Sequence, residues 1–419
     1  MRFAAFFSIL IIATTTVAQN PTPPTPSLEA KSATVPITLD HNRIVIDVAV
    51  ALADGSTQSV RAWVDNGDQE LTMSQRVAKL MELAIRCEGQ NCSAQPPREI
   101  TIGGMKISLA TVKAVNIPGK TNSAASIAFP GMSAEINIPS AVLRNYDVLI
   151  DFPERKLTIG QPGSLKFNGV KTKAVVNAES GLIQIPSQVE NKKYNLALDL
   201  GSSISFLTQD VFEKLAAAHP GWPHMTGAIG PANMWGLQDE AKWKLLRVAR
   251  LQYGPLFLTN VTTVEFPKDR MDFFEKRAGI PTAGLLGSNA LINYRIGLDY
   301  AHATVYFDIG RLFNSPDFDV VGLILRPDDD GRFTILGIAD YGGKPSVPEL
   351  EAGDRLIAVD GIPTAGSTLG QVWSMLGGEA GKGRRLTVER AGKQLNIAAK
   401  VQHFLGEQAD GAAQEKSQR

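Results

Sequence analysis

Two stretches decide how this chain is read: Ala62-Trp63-Val64-Asp65-Asn66-Gly67 and Leu196-Ala197-Leu198-Asp199-Leu200-Gly201-Ser202-Ser203. In each, a short apolar, strand-like run ends in an aspartate, then one residue, then a glycine. A strand ending in Asp-x-Gly sets a carboxylate on a tight turn, within reach of backbone N–H groups. Two such turns facing each other would bring two carboxylates together, and a pair sharing one proton can activate water and protonate a leaving group. Each turn also has a reading without chemistry. Asp65-Asn66-Gly67 suits a type I′ hairpin, and the Asp199 turn can lead into a helix over Thr208–Ala218.

The surroundings of the two turns repeat. Ser140, Leu143, Asn145, Tyr146 and Asp151 recur as Ser288, Leu291, Asn293, Tyr294 and Asp299 at a constant offset of 148 residues. Asp65 and Gly67 recur as Asp199 and Gly201 at an offset of 134. The difference (148 − 134 = 14) is a net insertion in the second unit, with 221–236 and 267–279 as its candidate places. Such self-similarity predicts two like units, each running strand, turn, helix, strands, closing strand. In the first, Ile44, Ile46, Val48 and Val50 share one strand face, opposite Arg43 and Asp47, before the Asp54-Gly55 turn. Val77, Leu80, Met81 and Ala84 have helical spacing over Ser74–Ala84, with Ser74 as cap. The stretch 227–236, with Trp235, reads as a flap over a cleft or as a loop.

The ends differ in character. Arg2, the apolar run Phe3–Ala13 and the small residues Thr16-Val17-Ala18 predict a signal peptide over 1–18, or an uncleaved membrane anchor. Residues 19–34, rich in Pro, Thr and Ser, predict an extended linker. Beyond 312 the pattern changes to a compact β-rich unit over 313–405. Its turns are Gly353-Asp354 and Asp360-Gly361, and a helix over Thr368–Leu376 carries Leu369, Val372, Trp373 and Leu376 on one face. Residues 406–419 are polar and predict a disordered tail.

Composition narrows the function. With 42 basic and 42 acidic residues among 419, nothing favours nucleic acid as a partner. No stretch after the N-terminus is long and apolar enough for an integral membrane span. The two cysteines, Cys87 and Cys92, predict a disulfide in an exported chain, with free thiols as the alternative. Two thiols cannot complete a zinc site, and none of the five histidines begins a His-Glu-x-x-His motif. No glycine pattern suits a phosphate cradle, so neither a metal nor a cofactor is expected.

The duplicated unit, the Gly284-Leu285-Leu286-Gly287 segment and the strand through Asp299 resemble the pepsin/retropepsin-like aspartic proteases. Glu351 to Gly361 resembles a PDZ domain. Together they resemble bacterial exported aspartyl proteases with a C-terminal PDZ domain. The resemblance implies a mostly β, bilobal β-barrel protease fold, with an N-terminal lobe over 35–166, a C-terminal lobe over 167–312 and the PDZ domain behind. It implies that Asp65 and Asp199 hold the attacking water, that Gly67 and Gly201 allow close backbone approach, that Ser202 supports Asp199 through its hydroxyl, and that Gly287 braces the second loop. A groove beginning at Val321, with Gly322, Leu323 and Ile324, would take an extended peptide strand. The implied function is a periplasmic or secreted endopeptidase acting on peptide or protein substrates. The alternative is a degenerate relative acting as a peptide-binding adaptor.

The chain departs from this pattern at four places. The family has Thr or Ser in the middle of each loop, bonding across to the other. Here Asn66 can still bond, but the Leu200 side chain cannot. Asp68 adds a third carboxylate, which would raise the pKa of Asp65. Pro139 stands where Gly287 stands in the second unit, which predicts weaker bracing of the first loop.

Overall fold

The computed structural model describes residues 30–89, 91–118, 129, 131–278, 281–309 and 318–406. The signal-peptide region and the tail beyond Gly406 lie outside these residues. The molecule is mostly β, and no helix among the described residues is long and apolar enough to cross a membrane.

The repeat is realised as a six-stranded sheet to which both units contribute. Its order is Ser32–Pro36, Lys156–Gly160, Asp147–Asp151, Tyr294–Asp299, Thr304–Ile309, Val170–Lys173. At its centre, Asp147–Asp151 runs antiparallel to Tyr294–Asp299, with Asp147 opposite Asp299, Leu149 opposite Gly297 and Asp151 opposite Arg295. This register maps onto itself under the 148-residue offset, because Asp299 is the counterpart of Asp151 and Arg295 that of Asp147. A local two-fold axis therefore passes between Leu149 and Gly297. The carboxylate of Asp151 takes two bonds from the Arg295 guanidinium, at 2.6 and 2.7 Å. Ser32–Pro36 corrects the linker boundary at 34: Ala33 and Val35 alternate as buried residues on the sheet edge.

Each unit hangs a further sheet system from this platform. In the first, Arg43–Ala51 pairs with Thr57–Asp65, and Ile44, Ile46, Val48 and Val50 are buried as the alternation requires. Arg43 departs from the expectation. It is only 1 % exposed, because the face it occupies is covered by a loop of the second unit. The helix expected over Ser74–Ala84 is shorter, Gln75–Leu80, capped by Ser74 and ended where Glu82 takes a left-handed φ of 52°. Cys87 and Cys92 sit opposite each other in a hairpin and form the disulfide. The second unit carries an eight-stranded sheet and the helices Gln209–Ala218 and Lys268–Ala278.

Residues 318–406 form an antiparallel sheet, ordered Leu323–Pro327, Phe333–Ile338, Arg355–Val359, Gly383–Arg390, Lys393–Lys400, beside the helix Leu369–Leu376. The helix begins in a Thr368–Gln371 capping box and buries Leu369, Val372, Trp373 and Leu376. The core of this unit is continuous with that of the second unit. One apolar cluster joins Leu323, Ile324, Leu325 and Phe333 to Ala228, Ile229, Met234 and Phe206.

Arg295→Ala removes both bonds to Asp151 at the two-fold axis. It is expected to lower unfolding stability by about 1–3 kcal/mol, read from the urea midpoint. An unchanged midpoint would show that the pair does not hold the units together.

Candidate active site

The two aspartates end up at equivalent places about the two-fold axis. Asp65 ends the strand Thr57–Asp65, which Ile136–Pro139 flanks in parallel, Ile138 opposite Val64 and Pro139 opposite Asp65. Asp199 follows the strand Lys192–Leu198, which Gly284–Leu286 flanks in parallel, Leu286 opposite Leu198. The next contacts match as well. Ser140 N–H donates to Asp68 C=O at 2.7 Å, and Ser288 N–H to Ser202 C=O at 2.8 Å. Pro139 therefore does not weaken the brace, contrary to expectation. The brace runs through the residues on either side, and the Gly287 N–H is itself turned to Ser205 Oγ at 3.0 Å. What Gly287 supplies is room. A Cβ there would stand 2.3 Å from the Ile204 carbonyl oxygen.

Across the two loops one side chain carries the connection. Asn66 Nδ2 donates to Leu198 C=O at 2.7 Å, and its Oδ1 accepts from Leu200 N–H at 2.7 Å. A carboxamide has both a donor and an acceptor, so Asn66 alone makes two bonds across the loops. Leu200 makes no cross-loop side-chain bond and is instead fully buried in the apolar core.

The loops also fit into each other. A Cβ on Gly67 would lie 2.2 Å from Asp199 Cγ, and one on Gly201 would lie 2.3 Å from Asp65 Oδ1. Each glycine thus abuts the carboxyl of the other loop, and no larger residue fits at either. Asp65 Oδ1 accepts from Gly67 N–H at 3.0 Å. Asp199 Oδ1 accepts from Gly201 N–H at 3.0 Å and Ser202 N–H at 2.9 Å. Ser202 supports Asp199 through this N–H. Its hydroxyl, expected to do so, donates instead to Ile204 C=O at 2.6 Å.

Both carboxyls are buried, 5 % and 9 % exposed. Burial raises the pKa of Asp65 well above the usual carboxylate range, and the charges of Asp199 and then Asp68 push it further. Burial likewise raises Asp199, against the pull of its N–H donors, with Asp68 adding to the rise. The third carboxylate acts in the expected direction, but desolvation is the larger cause.

The pair opens into a cavity of about 740 Å³. Asp65, Asp68, Asp199 and Ser202 line it together with the apolar side chains of Trp63, Phe206, Met234, Trp235, Leu237 and Phe266, which form its wall. Met234 and Trp235 lie on the stretch 227–236, read as a flap or loop, and Leu237 directly follows it within the longer segment 227–243. It is an ordered segment containing short 3₁₀ turns, Gly230–Ala232 and Gln238–Lys242.

Two residues that sequence reasoning missed hold this segment. Glu240 is fully buried and accepts from Asn233 Nδ2, from Trp235 N–H at 2.9 Å and from Gly236 N–H at 3.2 Å. Burial raises its carboxyl to about 7. Arg43 Nη1 donates to Met234 C=O at 3.1 Å, and burial lowers the guanidinium to about 10. The alternation that assigned Arg43 to an outward face had no means of seeing the segment that covers it.

The other candidates do not join this site. Cys87 and Cys92 lie in their hairpin and do not line the cavity. Leu323 and Ile324 are buried, 0 % and 1 % exposed. The strand they begin does not present an open edge, because Asn233 Oδ1 accepts from Leu325 N–H at 2.8 Å and its Nδ2 donates to Leu325 C=O at 2.9 Å. Gly322 is packed too, with Phe404 2.6 Å from the position of a Cβ. Among the described residues no group of three or more His, Cys, Asp or Glu side chains is placed to hold a metal ion.

No protein-family model matches the chain, and no curated protein is similar to it. Among solved structures, the crystal structure of an aspartic proteinase from Irpex lacteus is similar at 12% identity and a TM-score of 0.38, over 68% of this chain and 99% of that one.

Two outcomes are expected at this site. Asn66→Ala leaves Leu198 C=O and Leu200 N–H buried without their partner, and should cost about 2–4 kcal/mol of unfolding stability; a loss below about 0.5 kcal/mol would show that the clasp is dispensable. The second concerns pH. Both aspartates are easier to protonate folded than unfolded, so the folded state binds more protons between the ordinary carboxylate pKa, about 4, and the raised folded values. Stability then falls as pH rises through that interval. Asp199→Asn, which keeps an acceptor for the N–H donors, should melt above the wild type at pH 7 and converge with it towards pH 3. A gap that does not change with pH would contradict the assigned burial cost.

Proposed function

We propose that this chain is an exported aspartic-type endopeptidase in which Asp65 and Asp199 act as a pair on a peptide bond. The observation that carries this reading is the reciprocal fit of Gly67 against the Asp199 carboxyl and Gly201 against the Asp65 carboxyl, in the lining of a cavity that apolar side chains share. Two buried carboxyls held that close favour one shared proton. The ionised member takes a proton from water as the water oxygen attacks the carbonyl carbon. The protonated member donates to the carbonyl oxygen. The tetrahedral intermediate then collapses as the newly protonated member donates to the leaving nitrogen and the other takes a proton from one hydroxyl of the intermediate, which restores the starting arrangement with one proton on the pair.

Residues 313–405 are read as a PDZ-like unit, in line with the helix, the turns and the strand order described above. Export is supported by the N-terminal reading and by the Cys87–Cys92 disulfide, which belongs to an oxidising compartment. The adaptor reading has less support, because the strand that would receive a peptide already has its edge bonded by Asn233.

The test is hydrolysis of an unfolded protein substrate across pH 3–8. Asp65→Asn and Asp199→Asn are each expected to lower kcat by about 10²–10⁴-fold. Wild-type turnover with either variant equally active would overturn the assignment. The pair fails when both members are protonated and when both are ionised, giving a bell whose upper limb follows the raised pKa. Since Asp68 raises both carboxyls, Asp68→Asn should move that upper limb to lower pH. A limb that stays in place or moves up would separate Asp68 from the pair.

A further inference from the structure

The segment 227–243 has two faces. One gives the cavity its Met234, Trp235 and Leu237 wall. The other lies on the C-terminal unit. There the Asn233 carboxamide bonds both the N–H and the C=O of Leu325, as one residue of an added antiparallel strand would. The fit around this contact is close. A Cβ on Gly236 would come within 2.6 Å of Pro327 Cδ and 2.9 Å of Arg326 Cα, and one on Gly227 within 3.2 Å of Ile324 Cδ1. Asn233 itself is fully buried, and the apolar residues on both sides belong to one cluster.

The same segment touches the Asp199 loop. Ser203 Oγ donates to Pro231 C=O at 2.7 Å, and Ser202 Oγ lies 3.4 Å from Met234 Sδ. Ser202 is also the residue whose N–H bonds Asp199. A continuous path of contacts therefore runs from Leu325, through Asn233 and Met234, to Ser202 and Asp199.

We propose that Asn233 is a positioning residue for the cleft, and that the C-terminal unit acts as a fixed clamp on the cleft wall, with its strand edge used up inside the molecule. This deepens the peptidase reading and rests on it for the role of the cleft. It differs from that reading in what the C-terminal unit does: the edge of Leu323–Pro327 serves the site from within and does not receive a peptide.

The test uses the full chain, with hydrogen exchange and peptide-cleavage kinetics measured side by side. Asn233→Ala should speed amide exchange in 228–237 and in 323–327 together, while Thr57–Asp65 exchanges as in the wild type. The variant loses three bonds, to Leu325 N–H, Leu325 C=O and the Glu240 carboxyl; KM should rise by about tenfold or more, and kcat should change much less, because the carboxylates keep their own braces. Asn233→Asp keeps the shape and the acceptor for Leu325 N–H, but when ionised it loses the donor to Leu325 C=O and to Glu240 and sets a second carboxylate against the buried Glu240. Its KM defect relative to wild type should shrink as pH falls, because protonation of the two facing carboxyls, the new one and that of Glu240, removes their repulsion and restores a donor. A third arm adds a pool of peptides with free apolar C-termini to the wild type, and exchange in 323–327 should not change. Unchanged exchange in 228–237 for Asn233→Ala, a KM equal to the wild type's for both variants, or protection of 323–327 by the peptides would each overturn the proposal. If the wild type cleaves nothing, the peptidase reading fails, and the exchange arms still decide whether the clamp exists.

Discussion

The antiparallel pairing of Asp147–Asp151 with Tyr294–Asp299 is the constraint from which the site follows. Its register is the one that returns to itself under the sequence repeat. Two like units joined this way must present their equivalent loops to each other across the axis. The six-stranded sheet makes the arrangement rigid, and the parallel braces at Ile138 and Leu286 carry it to the ends of the two aspartate-bearing strands. The site is thus a consequence of duplication with self-complementary pairing.

Symmetry is then broken where chemistry and packing need it. The clasp between the loops comes from one side only, through Asn66, while its counterpart Leu200 goes into the core. One carboxamide bonding two backbone groups does what two hydroxyls would share. Asp68 and Ser202 occupy equivalent positions. Each supplies a backbone N–H to the aspartate of its own loop, and Asp68 also adds negative charge beside the pair. The two carboxyls match in their backbone N–H donors, Gly67 and Asp68 for Asp65 and Gly201 and Ser202 for Asp199, and differ in that Asp68, on the Asp65 loop, carries a charge where Ser202 carries none.

Much of this was legible in the residues. The repeated Leu, Tyr and Asp marked the duplication because both units keep their local contacts: Tyr146 and Tyr294 N–H bond Leu143 and Leu291 C=O, and Asp151 and Asp299 accept from the N–H three residues on. The alternation from Ile44 to Val50 and the Thr368 cap were legible for the same reason: periodicity and capping act over a few residues. What was not legible depended on surfaces meeting across the chain. Arg43 follows strand alternation onto an outer face, and only the segment 227–243 folding over it makes that face interior. Glu240 sits in a polar stretch, Gln238-Asp239-Glu240, with no signal that one of its carboxylates is buried against Asn233 and two backbone N–H groups. The closed edge at Leu325 was hidden too, since a strand suited to receive a peptide has the same sequence whether its partner comes from outside or within.

The measurement that bears most directly on the account is a carbon NMR titration of aspartate side chains in the full chain, repeated in Asp65→Asn and Asp199→Asn. A pair sharing one proton should show Asp65 and Asp199 titrating together in two steps, the upper one well above the ordinary carboxylate range. Neutralising either aspartate should then lower the pKa of the other. Two separate titrations near pH 4, with neither variant moving the remaining aspartate, would contradict it.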